Sequence, residues 1–455
     1  MKKILIRSGV SPFSPSPTEE VIENNFIGGN SGNLIYQAGV FNALSVEDTV
    51  IVPDKYRINS ADAAYINENY SHYVIPLADA FRTDFVNHLK NYTKLIKKLK
   101  IPVIVIGVGL RAPFEPKLNE GFPFDPEVKA FVSAVLEKSK CIGVRGQITA
   151  DYLTTLGFKE GRDHMVIGCP SMYTFGGDLK IEVPKSITAD SRISINNSLL
   201  SPDHLIKFIH DSAEEFNEFY FVPQWRKELE MLYALAHSIR KTESVSGYPT
   251  KATHNYYTED KVRFFIDAYA WINYFKNIDL SFGARLHGNI TATIAGTPSI
   301  LFPKDARMRE LAVYHNLTHV MANEITDRTS IWDLIETVDF SAPEKVQKKN
   351  FENFISFLNK NKLSNVYTKN KVANNSFDNQ DSHVKNFFNC SYEEQVSRIE
   401  FMNNLNDKKS KRSLNNLKTK NKNLQTENKH LTNTLNRKSI KATRNVADFI
   451  SLIKK

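Results

Sequence analysis

Short β-branched runs separated by amphipathic stretches of about 10 to 15 residues constrain this chain more than any other feature, because that alternation is the signature of βαβ units. KKILIR opens the chain as a buried strand, and a glycine-rich loop then runs into a helix at LIYQAGVFNAL. DTVIVP and SHYVIPLADAF give the next strands, FVNHLKNYTKLIKKLK an amphipathic helix, and IPVIVIGVGL the most strongly β-branched run in the sequence. The helix PEVKAFVSAVLEKS, the strand CIGVRG, the helix QITADYLTTLG and the strand HMVIGCPSMYTFGG follow. A parallel sheet covered on both faces is the expected product.

The stretch 176–191 is polar, carries Gly and Pro, and lacks helical periodicity, so it marks a boundary. A second alternating series starts at RISIN and continues through a helix over 201–217, the strand EFYFVPQ, a helix over 226–241 and another around DKVRFFIDAYAWINYFK. It closes with IDLSFGARLHGNITATIAGTPSILF, the helix RMRELAVYHN and a short strand THVMA. The expected organisation is a Rossmann-like domain over residues 1–178, a second over 190–340, a helix and linker over 341–400, and a tail over 401–455. Two such α/β halves would face a crevice at the carboxyl ends of their strands, where open α/β sheets bind ligands.

Charge locates the outlier. Of 59 Lys and Arg against 50 Asp and Glu, residues 401–455 hold 14 against 3, a surplus of +11, which leaves 45 against 47 in residues 1–400. The body therefore gives no charge-based reason to expect a polyanion, and the tail has no aromatic interleaving to support base stacking, so no nucleic-acid partner is expected. Within the tail, Leu417, Leu424 and Leu431 recur every seven residues, with Leu414, Asn421, Asn428 and Leu435 in the companion position. That is a dimer-like coiled-coil pattern and points to a homo-oligomer. Ile440, Val446, Ala447, Ile450 and Ile453 fall roughly on one face of a last, basic helix suited to peripheral membrane contact.

Three cysteines, Cys141, Cys169 and Cys390, show neither CxxC nor zinc spacing, and the acidic residues do not cluster at ligand spacing, so neither metal nor cofactor is expected. The N-terminus has too short an apolar run for a signal peptide, and no run of about 18 apolar residues occurs. A cytoplasmic protein is expected, touching the inner membrane face at most.

Candidate chemistry gathers at strand ends. In GARLHGN the strand should end near Gly283 and a helix begin near Asn289, which aims amide groups at the crevice. Arg285 adds a planar fork for phosphate or carboxylate, and His287 a group that titrates near neutral pH. A structural reading makes Arg285 an ion-pair residue and His287 an N-cap partner. GGNSGN offers Asn30, Gly32 and Asn33 in a loop whose backbone can approach a ligand, or simply a tight turn. Arg111 and Arg145 sit at two further strand ends. After the strand PSILF, Asp305 is a candidate base or sugar-hydroxyl acceptor, and Glu310 stands three residues from Arg307 as its ion-pair partner. Cys169 reads as a packed thiol.

These residues resemble the polysaccharide pyruvyltransferase family. DLSFGARLHGNITATIAGTPSILFPKDARMREL carries the Arg-Leu-His core, the Gly-Thr-Pro and the Asp-x-Arg-x-x-Glu-Leu similar to that family's most characteristic block. GGNSGNLIYQAG, IGVGLRAP and VRGQITADYLTTLG resemble its other segments, and the likeness covers about residues 1–325. It implies a GT-B-like pair of domains. It also implies transfer of a pyruvyl group from phosphoenolpyruvate to two hydroxyls of a glycan or lipid-linked glycan, forming a cyclic ketal and releasing phosphate. Donor contacts would fall to Arg285, the backbone of Leu286, His287 and Arg145. VRG departs from the family's commoner Val-Arg-Asp/Glu, so that carboxylate is missing next to Arg145. Alternatives on the same residues are a nucleotide-sugar glycosyltransferase of GT-B type and a non-catalytic scaffold for glycan synthesis.

Overall fold

The computed structural model describes residues 1–236, 247–368 and 382–435, with 442, 443 and 446 beyond them. It forms two compact units, Met1–Cys390 and Ser391–Lys455. The first holds two four-stranded parallel sheets.

One sheet has the order β2-β1-β3-β4, from β1 (Lys2–Ile6), β2 (Thr49–Pro53), β3 (His72–Pro76) and β4 (Val103–Ile106). Its register sets Ile4 beside Ile51 and Leu5 beside Tyr73. All four residues of β4 are buried, as expected of a strand covered on both faces. A parallel pair, β5 (Ile142–Val144) and β6 (His164–Val166), adjoins this sheet through a bridge between Val108 and Val144. The second sheet has the order β10-β9-β7-β8, from β7 (Arg192–Asn196), β8 (Glu218–Phe221), β9 (Leu280–Gly283) and β10 (Ser299–Leu301). The segment 176–191 lies between the two in sequence. Apolar residues on the inner faces of strands and helices, such as Ile75, Val105, Phe131 and Leu153, make the core of the first half.

Several elements differ from expectation. The strand read in HMVIGCPSMYTFGG stops at Val166, and Pro170–Tyr173 forms a 3₁₀ turn, because Pro170 withdraws an N–H that a ladder would need. THVMA contributes only one bridge, between Leu301 and His319. The helix expected over 226–241 is Arg226–Ala234, and residues 237–246 lie outside those described. The helix around 260–276 is confined to Ala268–Phe275, starting where Asp267 accepts a bond from the Ala270 N–H at 2.7 Å. Helix Glu344–Lys360 returns onto the first half, where Gln347 donates to the Met172 carbonyl at 2.6 Å. Residues 369–381 of the expected linker and nearly all of the basic last helix lie outside the described residues.

In the second unit, Tyr392–Leu435 is one continuous helix of 44 residues, longer than the heptad pattern alone suggests. No described helix is long and apolar enough to cross a membrane.

Candidate active site

The carboxyl ends of both sheets open onto a cleft of about 1000 Å³. The helix that follows β9 spans Leu286–Ala295 and so starts three residues before the sequence suggests. Gly288 sits inside its first turn, where it is tolerated because a side chain there would meet Asn196 at 2.8 Å. Gly283, at φ 155°, makes the sharp exit from the strand; a Cβ would lie 1.9 Å from the Asn196 carbonyl oxygen. Arg285 occupies the N-cap position, and its backbone N–H donates to Asn196 Oδ1 at 2.7 Å. The N–H groups of Leu286, His287 and Gly288 are the first of the helix and have no partner within it.

Arg285 and His287 face opposite walls. Arg285 Nε donates to the Asn197 carbonyl at 2.9 Å, and the guanidinium lies 4.3 Å from the Trp225 ring centroid. Nη2 is 3.9 Å from the Glu228 carboxylate, which also accepts from the N–H of Gln224 and Trp225 at 2.9 and 2.7 Å and from Tyr248 Oη. Glu228 thus fixes the start of the Arg226–Ala234 helix and anchors Arg285 from behind. His287 points toward the first half. Nε2 lies 3.7 Å from Cys169 Sγ, the ring is 5.7 Å from that of Tyr36, and Nδ1 packs where a Cβ on Gly32 would be 2.9 Å away. Burial, then the charges of Arg145 and Arg307, hold the imidazole well below its ordinary range, so it is neutral at pH 7. The expected near-neutral titration is therefore not found for His287.

Around His287 stand Arg307 and Asp79. Arg307 is 3.4 Å from Asp79 and 3.7 Å from Asp305, so it links the two halves. Asp79 also pairs with Arg82 at 2.8 Å; burial raises its carboxyl, but Arg307 and Arg82 outweigh that and hold it below the usual carboxylate range. Asp305 caps its helix, accepting from the Met308 N–H at 2.9 Å, and still lines the cleft. Lys304 donates to Ser201 Oγ at 2.7 Å; burial first, then Arg285, lower its pKa well below the ordinary lysine value.

The remaining candidates divide. Arg111 lines the cleft, 4.0 Å from Asp84. Asn30 and Asn33 also line it, but each side chain holds its own loop: Asn30 Oδ1 accepts from the Gly32 N–H at 2.8 Å, and Asn33 Nδ2 donates to the Ile27 carbonyl at 2.9 Å. Gly32, Arg145 and Glu310 sit behind the walls. Arg145 is wholly buried, with Nε donating to the Gly107 carbonyl at 2.6 Å and the guanidinium 5.5 Å from the Tyr36 ring centroid. Glu310 does not form the expected short ion pair with Arg307. Its carboxylate instead accepts from the Thr149 N–H and hydroxyl at 2.9 and 2.8 Å, capping the Gln147–Thr155 helix from the other half. Gly146 leaves the room: a Cβ there would come within 2.7 Å of the Glu310 side chain.

Sequence reasoning missed Asp79, Arg82, Lys304 and Trp225. Asp79 and Lys304 follow β3 and β10, and the carboxyl-end rule applied to every strand would have flagged both. Among the described residues, no group of three or more His, Cys, Asp or Glu is placed to hold a metal ion.

Two four-stranded parallel sheets sharing a cation-lined cleft at their strand ends define an α/β protein. The chain belongs to the polysaccharide pyruvyl transferase family, whose sequence profile matches residues 37–305. Similar solved structures include a UDP-GlcNAc 2-epimerase of Methanocaldococcus jannaschii in complex with UDP-GlcNAc and UDP, at 14% identity over 79% of this chain and 99% of that one, with a TM-score of 0.43. A UDP-GlcNAc 2-epimerase of Neisseria meningitidis is similar at 10% identity over 79% and 100%, with a TM-score of 0.41. A sucrose-phosphate synthase of Thermosynechococcus elongatus is similar at 12% identity over 78% and 95%, with a TM-score of 0.37. No curated protein matches the chain.

Proposed function

We propose that this protein transfers a pyruvyl group from phosphoenolpyruvate to two hydroxyls of a glycan sugar, forming a cyclic ketal and releasing phosphate during cell-surface polysaccharide synthesis. The observation that carries the reading is the start of the Leu286–Ala295 helix, where unpartnered amides lie between Arg285 on one wall and His287 with Arg307 on the other. Phosphoenolpyruvate bears a phosphate and a carboxylate on one carbon, and two cationic walls flanking a helix N-terminus suit such a dianionic head. Arg285, Lys304 and the amide of Leu286 hold one group. Arg307 turns from its shared carboxylates toward the other. The rest of the cleft receives the sugar, with Arg111, Asn30 and Asn33 along its rim.

The reaction balances with the residues present. The methylene carbon gains a proton and becomes a methyl group. The first sugar hydroxyl adds to the adjacent carbon and gives up its proton. The second hydroxyl then displaces phosphate, whose C–O bond breaks with the electron pair on the departing oxygen, and its proton leaves with the phosphate. His287 is the general acid or the group that holds the departing phosphate: kept neutral by burial, it is drawn toward protonation by the donor's negative charge. Asp305 or Asp79, both facing the cleft, accepts the hydroxyl proton.

The test is to incubate the protein with phosphoenolpyruvate and a panel of glycans bearing free vicinal or 4,6-type diols, following phosphate release and the new methyl resonance by NMR. Release of phosphate coupled one-to-one to a ketal methyl supports the reading. Sugar transfer from a nucleotide sugar, with phosphoenolpyruvate inert, replaces it with the glycosyltransferase. The basic surplus over residues 401–455 suits an anionic membrane surface at the cytoplasmic face, where a lipid-linked acceptor would be carried. Flotation with anionic liposomes at low salt checks that part, and indifference to them removes it.

A further inference from the structure

We propose that residues 414–434 pair two copies of this chain as a parallel, in-register, two-stranded coiled coil. The segment lies within the 44-residue helix Tyr392–Leu435, which keeps Leu414, Leu417, Leu424 and Leu431 between 49 and 61% exposed. Large apolar side chains at heptad spacing on a stretch of helix that is otherwise polar form a seam, and a seam of this kind is covered by another helix carrying the same repeat.

The sequence of the seam selects the occupant. Taking Leu414 as position a and Leu417 as d puts Asn421 and Asn428 at a, and Leu424 and Leu431 at d. In a parallel, in-register pair each Asn meets its own counterpart, and two amides can donate to and accept from one another. In an antiparallel pair every a faces a d, so each Asn is buried against Leu without a partner, which costs stability. The flanking positions agree. In register, Ser413 faces Lys418 of the second copy, Lys420 faces Gln425, and Glu427 faces Thr432, with no like-charged pair among them. Lys422 and Lys429 fall on the outer face, where their charge stays in water. A membrane is a poor occupant for this stripe, because two positions in seven, interrupted by Asn, are too narrow and too polar for an interfacial helix.

The experiment uses the full chain. Light scattering at roughly 50 μM protomer is expected to give about twice the 51.9 kDa mass of one chain. Leu417→Ala with Leu424→Ala is expected to return a single-chain mass at that concentration while donor binding stays intact. In a Cys390→Ser background, Leu431→Cys is expected to oxidise to a disulfide-linked dimer. A mixture of Leu414→Cys and Leu431→Cys chains should form no cross-link between position 414 and position 431, because a parallel pair holds them about 25 Å apart. A single-chain mass for the unaltered protein overturns the proposal, and so does a 414-to-431 cross-link, which reports an antiparallel pair.

Discussion

Two strand ends in this molecule share one local design and reach opposite outcomes. At β5 the chain runs Val-Arg-Gly into a helix, and at β9 it runs Gly-Ala-Arg-Leu-His into a helix. Either helix start would attract an anion, since its first amides are unpaired and carry the positive end of the dipole. At β5 the anion is internal: Glu310 reaches across from the second half onto Thr149, and Arg145 is folded inward onto the Gly107 carbonyl. At β9 the site stays open, and Arg285 lines the cleft. The difference lies in the neighbouring element. The Ala306–Tyr314 helix covers the first site with a carboxylate, whereas the second faces solvent between the two sheets. A helix start of this kind is therefore open to an external anion only where tertiary packing leaves it uncovered.

The sharpest way to break this contrast is His287→Gln. If His287 acts at the open site, turnover at saturating donor falls about 100- to 10,000-fold; near-normal turnover would remove it from the chemistry. Next comes the arginine pair. Arg285→Ala is expected to weaken phosphoenolpyruvate binding at least about 100-fold, because its loss removes a charge-assisted contact to the ligand, and also to lower the melting temperature, because Glu228 behind it stays buried. Arg145→Met should instead lower stability by about 2 to 4 kcal/mol, as befits a buried, hydrogen-bonded charge. Equal loss of donor affinity without loss of stability would place Arg145 at the donor after all.

A third effect is a pH dependence. Burial pushes the Glu310 carboxyl up to about 7, against the bonds from Thr149 and the charges of Arg145 and Arg307. The folded state thus binds a proton that the unfolded state, with an ordinary carboxyl near 4.5, has released. Glu310 therefore contributes most stability below pH 4.5, and the contribution is lost as pH rises to about 7, by roughly 3 kcal/mol at most. Denaturant titrations of the protein and Glu310→Gln between pH 5 and 8 should show the difference shrink in the original's favour as pH falls. His287, held low, has the opposite sign: its contribution is complete above the unfolded value near 6.5 and declines as pH falls below it. The smallest effect is Gly146→Ala, where the added methyl meets Glu310 and costs about 1 to 2 kcal/mol. An unchanged melting temperature there would mean that the Glu310 contact is loose.

Much of this was legible in the sequence, for physical reasons that also explain the failures. Strands such as VIVI and helices such as VNHLKNYTKLIKK declare themselves because burial on both faces, or on one stripe, is written in local periodicity. The positions of Arg285, His287 and Asp305 at strand ends followed from the same alternation. What local pattern does not encode is direction. Arg285 and Arg145 read alike, and only contacts 161 residues apart, between Thr149 and Glu310, separate them. The helix start at Leu286 was hidden because Gly288 reads as a loop residue, and Lys304 because a lone lysine after a strand ordinarily reads as solvated.

Calorimetric titration of phosphoenolpyruvate into the protein and its Arg285→Ala variant asks whether the open helix start at β9 takes that compound. Saturable binding that the substitution abolishes is expected. Equal binding by both proteins, or binding of a nucleotide sugar in place of phosphoenolpyruvate, would contradict it.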